Sequence, residues 1–308
     1  MNTDVIRTEN LSKHYGEVHA VDGISLNVRK GEIYGFLGLN GAGKTTTIRL
    51  LLGMVRPTSG AAFINGEKVT SGNTELWKKV GAMVEVPYSY PELTVFENLE
   101  IFRRLHFLPA KKPVERIIEK LRLGAYKNVK VKNLSLGNNQ RLGLAKALIH
   151  EPEILLLDEP ANGLDPAGIF EIREMLSSLA KNHGVTVFIS SHILGEISRF
   201  ATRIGIIHQG KLIKELDTFE LEKLCDKRLV VGAREIETAR ATLVQNNFKD
   251  IALKNGHMEI KDETAIANPE TVVTLLVNAA CPPTMLKVEE EDLESYFLRA
   301  IGVKGGGQ

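Results

Sequence analysis

The chain is poor in several things that would have narrowed its biology. It has two cysteines in 308 residues, Cys225 and Cys281. They match no metal-ligand spacing and no disulfide framework, which points to a reducing compartment. Its formal net charge is +1, so no bulk polycation draws it to nucleic acid. No apolar run approaches the ~18 residues of a membrane-spanning helix. The opening Met1-Asn-Thr-Asp-Val5 lacks a basic region followed by an apolar one, so no signal peptide is expected. Work at a membrane would then require a partner embedded in it. What remains is ordinary for a globular protein: 43% hydrophobic and 25% charged residues, long enough for one large α/β domain and a smaller one.

The stretch with most chemistry is Gly38-Leu-Asn40-Gly41-Ala-Gly43-Lys44-Thr45-Thr46. It follows the apolar Ile33–Leu37, read as a buried strand, and precedes Thr47–Leu52, read as the start of a helix. That context turns the pattern G-x-x-x-x-G-K-[ST] into a phosphate site. Gly38, Gly41 and Gly43 let the backbone curl so that several N–H groups face one anion. The helix N-terminus adds free donors and a positive dipole end. Lys44 reaches terminal phosphates, and the Thr45 hydroxyl suits Mg²⁺.

A second strong feature is Ile154-Leu-Leu-Leu-Asp158-Glu159-Pro160. Four apolar residues make a buried strand with two carboxylates at its end. Beside a phosphate loop, Asp158 is placed to organise the Mg²⁺ shell and Glu159 to orient or deprotonate water. The buried run Gly184–Ser191 ends similarly, at His192, on the same ligand edge. Glu85 also closes a buried strand, before Pro87 and an aromatic turn, where a surface glutamate is the commoner reading. Ser135 and Gly137 precede a helix over 142–149, suited to N-cap chemistry. Tyr15, in an apparent turn over 13–16 after a strand at 4–11, is equally a strand-end tyrosine or a platform for a flat base.

Further expected elements are a strand over 20–28, a mostly helical stretch over 93–123 broken near 108–110, and a helix over 169–181. A hairpin over 204–215 turns at Gln209-Gly210. From about Thr218 the character changes to strands at 228–232, 251–254, 258–260 and 284–288 with helices at 236–245 and 269–280. Residues 305–308 are expected to fray.

Taken in order, these segments resemble the nucleotide-binding subunit of ABC transporters over roughly Val5 to Lys214. The resemblance implies an α/β fold, a P-loop NTPase cassette with a mixed central sheet and a helical subdomain at about 88–150. The domain boundaries expected are 1–217 and 218–308, the latter a small α+β appendage. It implies an ATPase using ATP and Mg²⁺, with Tyr15 on adenine and Asn40, Gly41, Gly43, Lys44, Thr45 and Thr46 around the phosphates. Thr45 and Asp158 would serve the metal, Glu159 hydrolysis, and His192 the γ-phosphate. Ser135 and Gly137 would cap the nucleotide of a second copy in a head-to-tail dimer, and Asp165 would couple the two copies.

The sequence departs from the family pattern twice. Leu136 and Asn138 replace the usual glycine and glutamine of the signature. Glu85 stands where a glutamine usually meets the metal and the permease, giving it expected catalytic and metal roles. A glutamate there, with the ending Leu293-Glu-Ser-Tyr-Phe-Leu298, is similar to the branch exporting bacitracin-type and lantibiotic peptides. That implies a peripheral subunit on the cytoplasmic face of the membrane, bound to permease subunits that handle the peptide, with no nucleic-acid partner. The competing expectations are a soluble ABC ATPase, as in iron–sulfur cluster assembly, an exporter of another substrate, and a cassette that senses nucleotide without turnover.

Overall fold

The computed structural model describes residues 4–85, 88–109, 112–254 and 256–302. Pro87, Ala110 and the terminal glycines therefore lie outside the described residues. The chain forms two compact units, Met1–Thr218 and Phe219–Gln308.

The first unit is built on two sheets. One is antiparallel and holds β1 (Asp4–Tyr15), β2 (Val18–Ile24), β3 (Asn27–Arg29), β5 (Ser59–Ile64) and β6 (Glu67–Lys68). The expected single strand over 20–28 is two strands, and Thr8 is the reason. Its hydroxyl donates to the Ile24 carbonyl at 2.9 Å and accepts the Leu26 N–H at 3.0 Å, replacing ladder bonds with its own. The chain then re-pairs with the other end of β1 as β3. The expected turn over 13–16 is also corrected, because β1 continues to Tyr15 and only Gly16-Glu17 turn.

The second sheet runs β11-β10-β4-β9-β8-β7. Its members are β4 (Ile33–Leu37), β7 (Val80–Met83), β8 (Ile154–Asp158), β9 (Thr186–Ser191), β10 (Arg203–His208) and β11 (Lys211–Asp217). All neighbours are parallel except the edge pair β10–β11, a hairpin turning at Gln209-Gly210. Every residue of β4, β8 and β9 is buried, as strands covered on both faces require. Ile6, Val21, Phe36, Ile48, Ile64, Leu156 and Phe188 share one core joining the two sheets through α1 (Lys44–Leu51). The short α2 (Thr74–Trp77) leads into β7.

Between β7 and β8 come α3 (Val95–Leu105), α4 (Lys112–Lys120) and α5 (Leu136–Leu148). A capping box starts α3: Thr94 accepts the Glu97 N–H, and Glu97 accepts the Thr94 N–H. Ser135 caps α5, which starts six residues before the expected 142. Of the apolar positions on α3, Leu99 is fully buried but Leu105 is exposed. Asp165 caps α6 (Pro166–His183), with Pro166 in its first turn and Gly184 at its left-handed end. A one-turn helix, α7 (Leu194–Ile197), precedes β10. No helix among the described residues is long and apolar enough to cross a membrane.

The second unit holds α8 (Thr218–Leu224, its first residue shared), β12 (Lys227–Ala233), α9 (Ile236–Gln245), β13 (Ile251–Lys254), β14 (His257–Ile260), α10 (Glu263–Ala267), α11 (Pro269–Asn278), β15 (Pro283–Glu290) and α12 (Leu293–Ala300). Its antiparallel sheet runs β13-β14-β12-β15. Leu229, Val231, Met258 and Ile260 form a core with Ala239 and Leu243 of α9 and Val272 and Leu276 of α11. Side chains of the alternate positions pair by charge: Arg228 lies 3.4 Å from Glu259 and 3.1 Å from Glu289.

Candidate functional site

The carboxyl ends of β4, β8 and β9 lie side by side, with Leu37 registered against Ser191 and Asp158 against Ser190. Open α/β sheets bind ligands at such an edge. Here it adjoins a cavity of about 520 Å³ lined by Val18, His19, Ala20, Asn40, Gly41, Gly43, Lys44, Thr45, Thr46, Glu159 and Gln209. The six residues expected around the phosphates all line it.

The loop is built so that only its backbone fits. At Gly43, φ is +111°, and a Cβ would stand 2.3 Å from the Ala20 carbonyl oxygen. Its position just before α1 leaves the first N–H groups of that helix unpaired and available to an anion. Lys44 is nearly buried and donates to the carbonyls of Gly38 (2.7 Å) and Leu39 (3.2 Å). Its ammonium also lies 3.1 Å from Oε1 of Glu159. Buried charges need such partners, and a triphosphate arriving here would offer Lys44 a stronger one.

Two carboxylates in sequence are held differently. Asp158 is 3% exposed; Oδ2 accepts the Thr45 hydroxyl at 2.7 Å and Oδ1 accepts the Ser190 hydroxyl at 2.6 Å. Thr45 and Asp158 thus present two hard oxygen donors side by side, the ligand type a Mg²⁺ ion selects. The donor set fits that ion. Glu159 follows with φ of +48°, which swings its carboxyl away from the strand line. Its N–H donates to Ser190 Oγ at 3.0 Å, and Oε2 lies 2.6 Å from Nδ1 of His192. Lys44, Glu159 and His192 therefore form one chain of polar contacts beside the loop.

The remaining expected residues lie apart from the cavity lining. Tyr15 is half exposed at the hairpin end, opposite Val18, which does line it, and the Lys13 ammonium sits 5.0 Å from the Tyr15 ring centre. Ser135, Gly137 and Asp165 cluster elsewhere. A Cβ on Gly137 would touch Leu164, 3.2 Å away, and one on Gly163 would collide with Leu136 at 2.2 Å. The unusual Leu136 thus lies over Gly163, tying the start of α5 to the loop before α6. Glu85, expected near the metal, instead pairs with Arg49 of α1 at 2.7 Å and is absent from the lining. It stands two residues past the end of β7 with φ of +55°, in the left-handed region.

Sequence reasoning missed Ser190, His19 and Gln209. Ser190 bonds the Asp158 carboxylate and the Glu159 N–H only because β9 lies beside β8, and no linear signal marks that pairing. His19 and Gln209 reach the cavity from two hairpin turns that come together: the Asp22 N–H donates to the Gly210 carbonyl, and the Gly210 N–H to that of Ala42.

Nearby, Lys146 of α5 is buried and donates to the Tyr88 carbonyl at 2.7 Å and to the Ser89 hydroxyl. Burial pushes its pKa down to about 8. It fixes Tyr88 and Ser89 to α5.

Comparison with known proteins agrees with this geometry. Residues 21–162 match the family model described as ABC transporter. The chain is 41% identical over 300 residues to the bacitracin transport ATP-binding protein BcrA of Bacillus licheniformis, covering 97% of each. It is 37% identical to the lantibiotic transport ATP-binding protein SrtF of Streptococcus pyogenes, over 75% of this chain and all of SrtF. Among solved structures, the dimeric post-hydrolysis state of the ATP-binding cassette MJ0796 with ADP and Pi matches with a TM-score of 0.65 and 27% identity. That match covers 69% of this chain and 98% of the other. A loop of main-chain donors closed by Lys44, a paired Asp158 and Glu159 on the adjoining strand, and relatives alike over nearly the whole length lead to one conclusion: the chain belongs to the ABC transporter ATP-binding family and is an ATPase.

Proposed function

We propose that this subunit hydrolyses ATP to drive a separate membrane permease that exports a peptide antibiotic of the bacitracin or lantibiotic kind, protecting the cell that carries it. The observation carrying the reading is the similarity to a bacitracin transport subunit over 97% of this chain, which takes in most of residues 218–308 as well as the cassette. The 1–217 and 218–308 division then separates the ATPase from an accessory domain that this relative shares.

Each residue takes a role in that reading. Lys44 and the amides of Asn40 to Thr46 hold the phosphates, and Tyr15 lies on adenine once the Lys13 contact yields. Thr45 and Asp158 would hold Mg²⁺, which supplies charge neutralisation to the phosphates. Glu159 accepts a proton from the attacking water, and His192, already bonded to Glu159, contacts the γ-phosphate and keeps that carboxylate aimed. Ser135 and Gly137 belong to a second copy: α5 points its N-terminus at the partner's nucleotide, so ATP joins the two copies. Asp165 couples them, since Leu136 over Gly163 makes the two segments one body. Glu85 serves the permease side of the protein, which its exposed pairing with Arg49 favours over a ligand position. The subunit then sits on the cytoplasmic face of the membrane through that permease.

The experiment is reconstitution with its permease subunits, in a peptide-sensitive host. Wild type should raise resistance to bacitracin or a nisin-like peptide, and Lys44→Ala should abolish both resistance and ATPase. Full ATPase without any change in resistance would discard the peptide assignment and leave the enzyme.

A further inference from the structure

The β1–β2 hairpin carries a constellation that phosphate binding does not use. Beyond the Tyr15–Val18 pair that closes the turn, His14 stands directly opposite His19. Opposed residues of an antiparallel pair share a face. The two imidazoles stack, with centres 3.9 Å apart and planes at 9°. A register shift between the His14 and Lys13 pairs leaves an extra residue on β2. Such a bulge resets the alternation of faces. Asp22, three residues from His19, thereby joins the histidines: a ring nitrogen of each and a carboxylate oxygen lie within 4.8 Å of one another.

Two further observations bear on this cluster. Nε2 of His14 is buried and has no hydrogen-bond partner. Buried polar atoms are almost always paired, so an orphan imidazole nitrogen asks for a ligand. The backbone beneath is also fixed. The His14 N–H donates to the Thr58 hydroxyl at 3.0 Å, and the Asp22 N–H to the Gly210 carbonyl at 2.8 Å. Only side-chain torsions must change for the three groups to converge.

The geometry points to a binding site for one divalent transition-metal ion at His14, His19 and Asp22, with Zn²⁺ the best fit. Two imidazoles and one carboxylate are zinc's own ligands, and three protein donors leave a fourth position for water. Hard Mg²⁺ and Ca²⁺ select all-oxygen sites instead, so this site is chemically distinct from Thr45 and Asp158. Tetrahedral bonds of about 2.0–2.1 Å set donors roughly 3.4 Å apart, so the rings must unstack and close by about an ångström. The competing cation is Lys211, whose ammonium lies 3.5 Å from Asp22. It is mostly exposed on a flexible stem, and such a surface pair holds Asp22 weakly. His19 lines the nucleotide cavity as well, which puts the ion at the cavity rim.

The test is calorimetric titration of Zn²⁺ into metal-stripped full-length protein without nucleotide, with Co²⁺ as a spectroscopic substitute. One equivalent should bind, and Co²⁺ should give the intense visible bands of a tetrahedral site. His14→Ala, His19→Ala and Asp22→Asn should each weaken Zn²⁺ by at least about tenfold, since even outer-shell losses do so. The double histidine variant should lose both the binding and the bands. Asp22→Asn leaves the hairpin's backbone bonds intact and guards against misfolding of the histidine variants. His106→Ala, in the other stacked histidine pair, should bind as wild type. Stoichiometric Zn²⁺ binding that survives the double variant, or no stoichiometric binding by wild type at micromolar Zn²⁺, would overturn the site. Neither result bears on ATP hydrolysis.

Discussion

Removing the Ser190 hydroxyl should damage both stability and turnover, because one oxygen serves two neighbours. It donates to the buried Asp158 carboxylate at 2.6 Å and accepts the Glu159 N–H at 3.0 Å, while Ser190 itself is fully buried. A hydrogen bond to a charged group contributes about 1.5–3 kcal/mol, and an orphaned buried N–H costs about 1–3 kcal/mol. The two losses share one atom and do not add in full, so Ser190→Ala should cost about 2–4 kcal/mol. For a unit of this size, each kcal/mol lowers Tm by roughly 2–4 °C, giving a fall of about 5–15 °C. Scanning calorimetry of the full chain, following the transition of the first unit, reads this directly. Turnover should fall as well, and most at limiting Mg²⁺, because Asp158 loses one of its two hydroxyl partners and Glu159 the anchor of its left-handed backbone. A melting temperature within about 2 °C of wild type together with unchanged Mg²⁺ dependence would refute the reasoning, since about 0.5–1 kcal/mol is all that shift allows.

Two other perturbations separate stability from function. Gly137→Ala meets the movable end of Leu164 at 3.2 Å and the Gly163 carbonyl at an ordinary 4.0 Å, so denaturation should show stability unchanged or raised by up to about 1 kcal/mol. Its ATPase should nevertheless drop about tenfold or more, the factor for 1.4 kcal/mol of lost contact with the partner's phosphate; normal turnover would remove Gly137 from that contact. His150 is half-buried against His106, with ring centres 3.9 Å apart, and that burial, helped by His106, lowers its pKa to about 4. Between pH 4 and its ordinary value near 6.5 the unfolded chain binds the proton that the folded chain refuses, so stability falls as pH drops through that window. His150→Gln should flatten this slope in urea melts at pH 4.5 and 7, and an unaltered slope would place the acid sensitivity elsewhere.

Much of the cassette was legible because its chemistry is local. The phosphate loop, Asp158-Glu159 and the hairpin turn at Gln209-Gly210 each occupy one stretch, and the strands around them are continuous apolar runs. What was misread depends on partners distant in sequence. Lys13–Tyr15 looked like a turn because the two-residue closure at Gly16-Glu17 is visible only once β2 pairs. The strand over 20–28 split because Thr8, sixteen residues before Ile24, interrupts its ladder. The start of α5 was hidden by Asn138 and Asn139, poor helix formers that the Ser135 cap overrides. The pairing of Glu85 with Arg49, 36 residues earlier, is likewise invisible in the linear sequence. Ser190, within a run read simply as buried strand, acquires its role solely from the register of β8 against β9.

The central claim is that ATP held on the Lys44 loop is closed over by a second copy before Glu159 hydrolyses it. Sedimentation of Glu159→Gln, with and without Mg-ATP, tests this most directly. The account predicts monomers without nucleotide, stable dimers with ATP but not ADP, and turnover reduced by about 10²–10⁴, the range for loss of a general base. Monomers at saturating ATP, or hydrolysis at the wild-type rate, would contradict it.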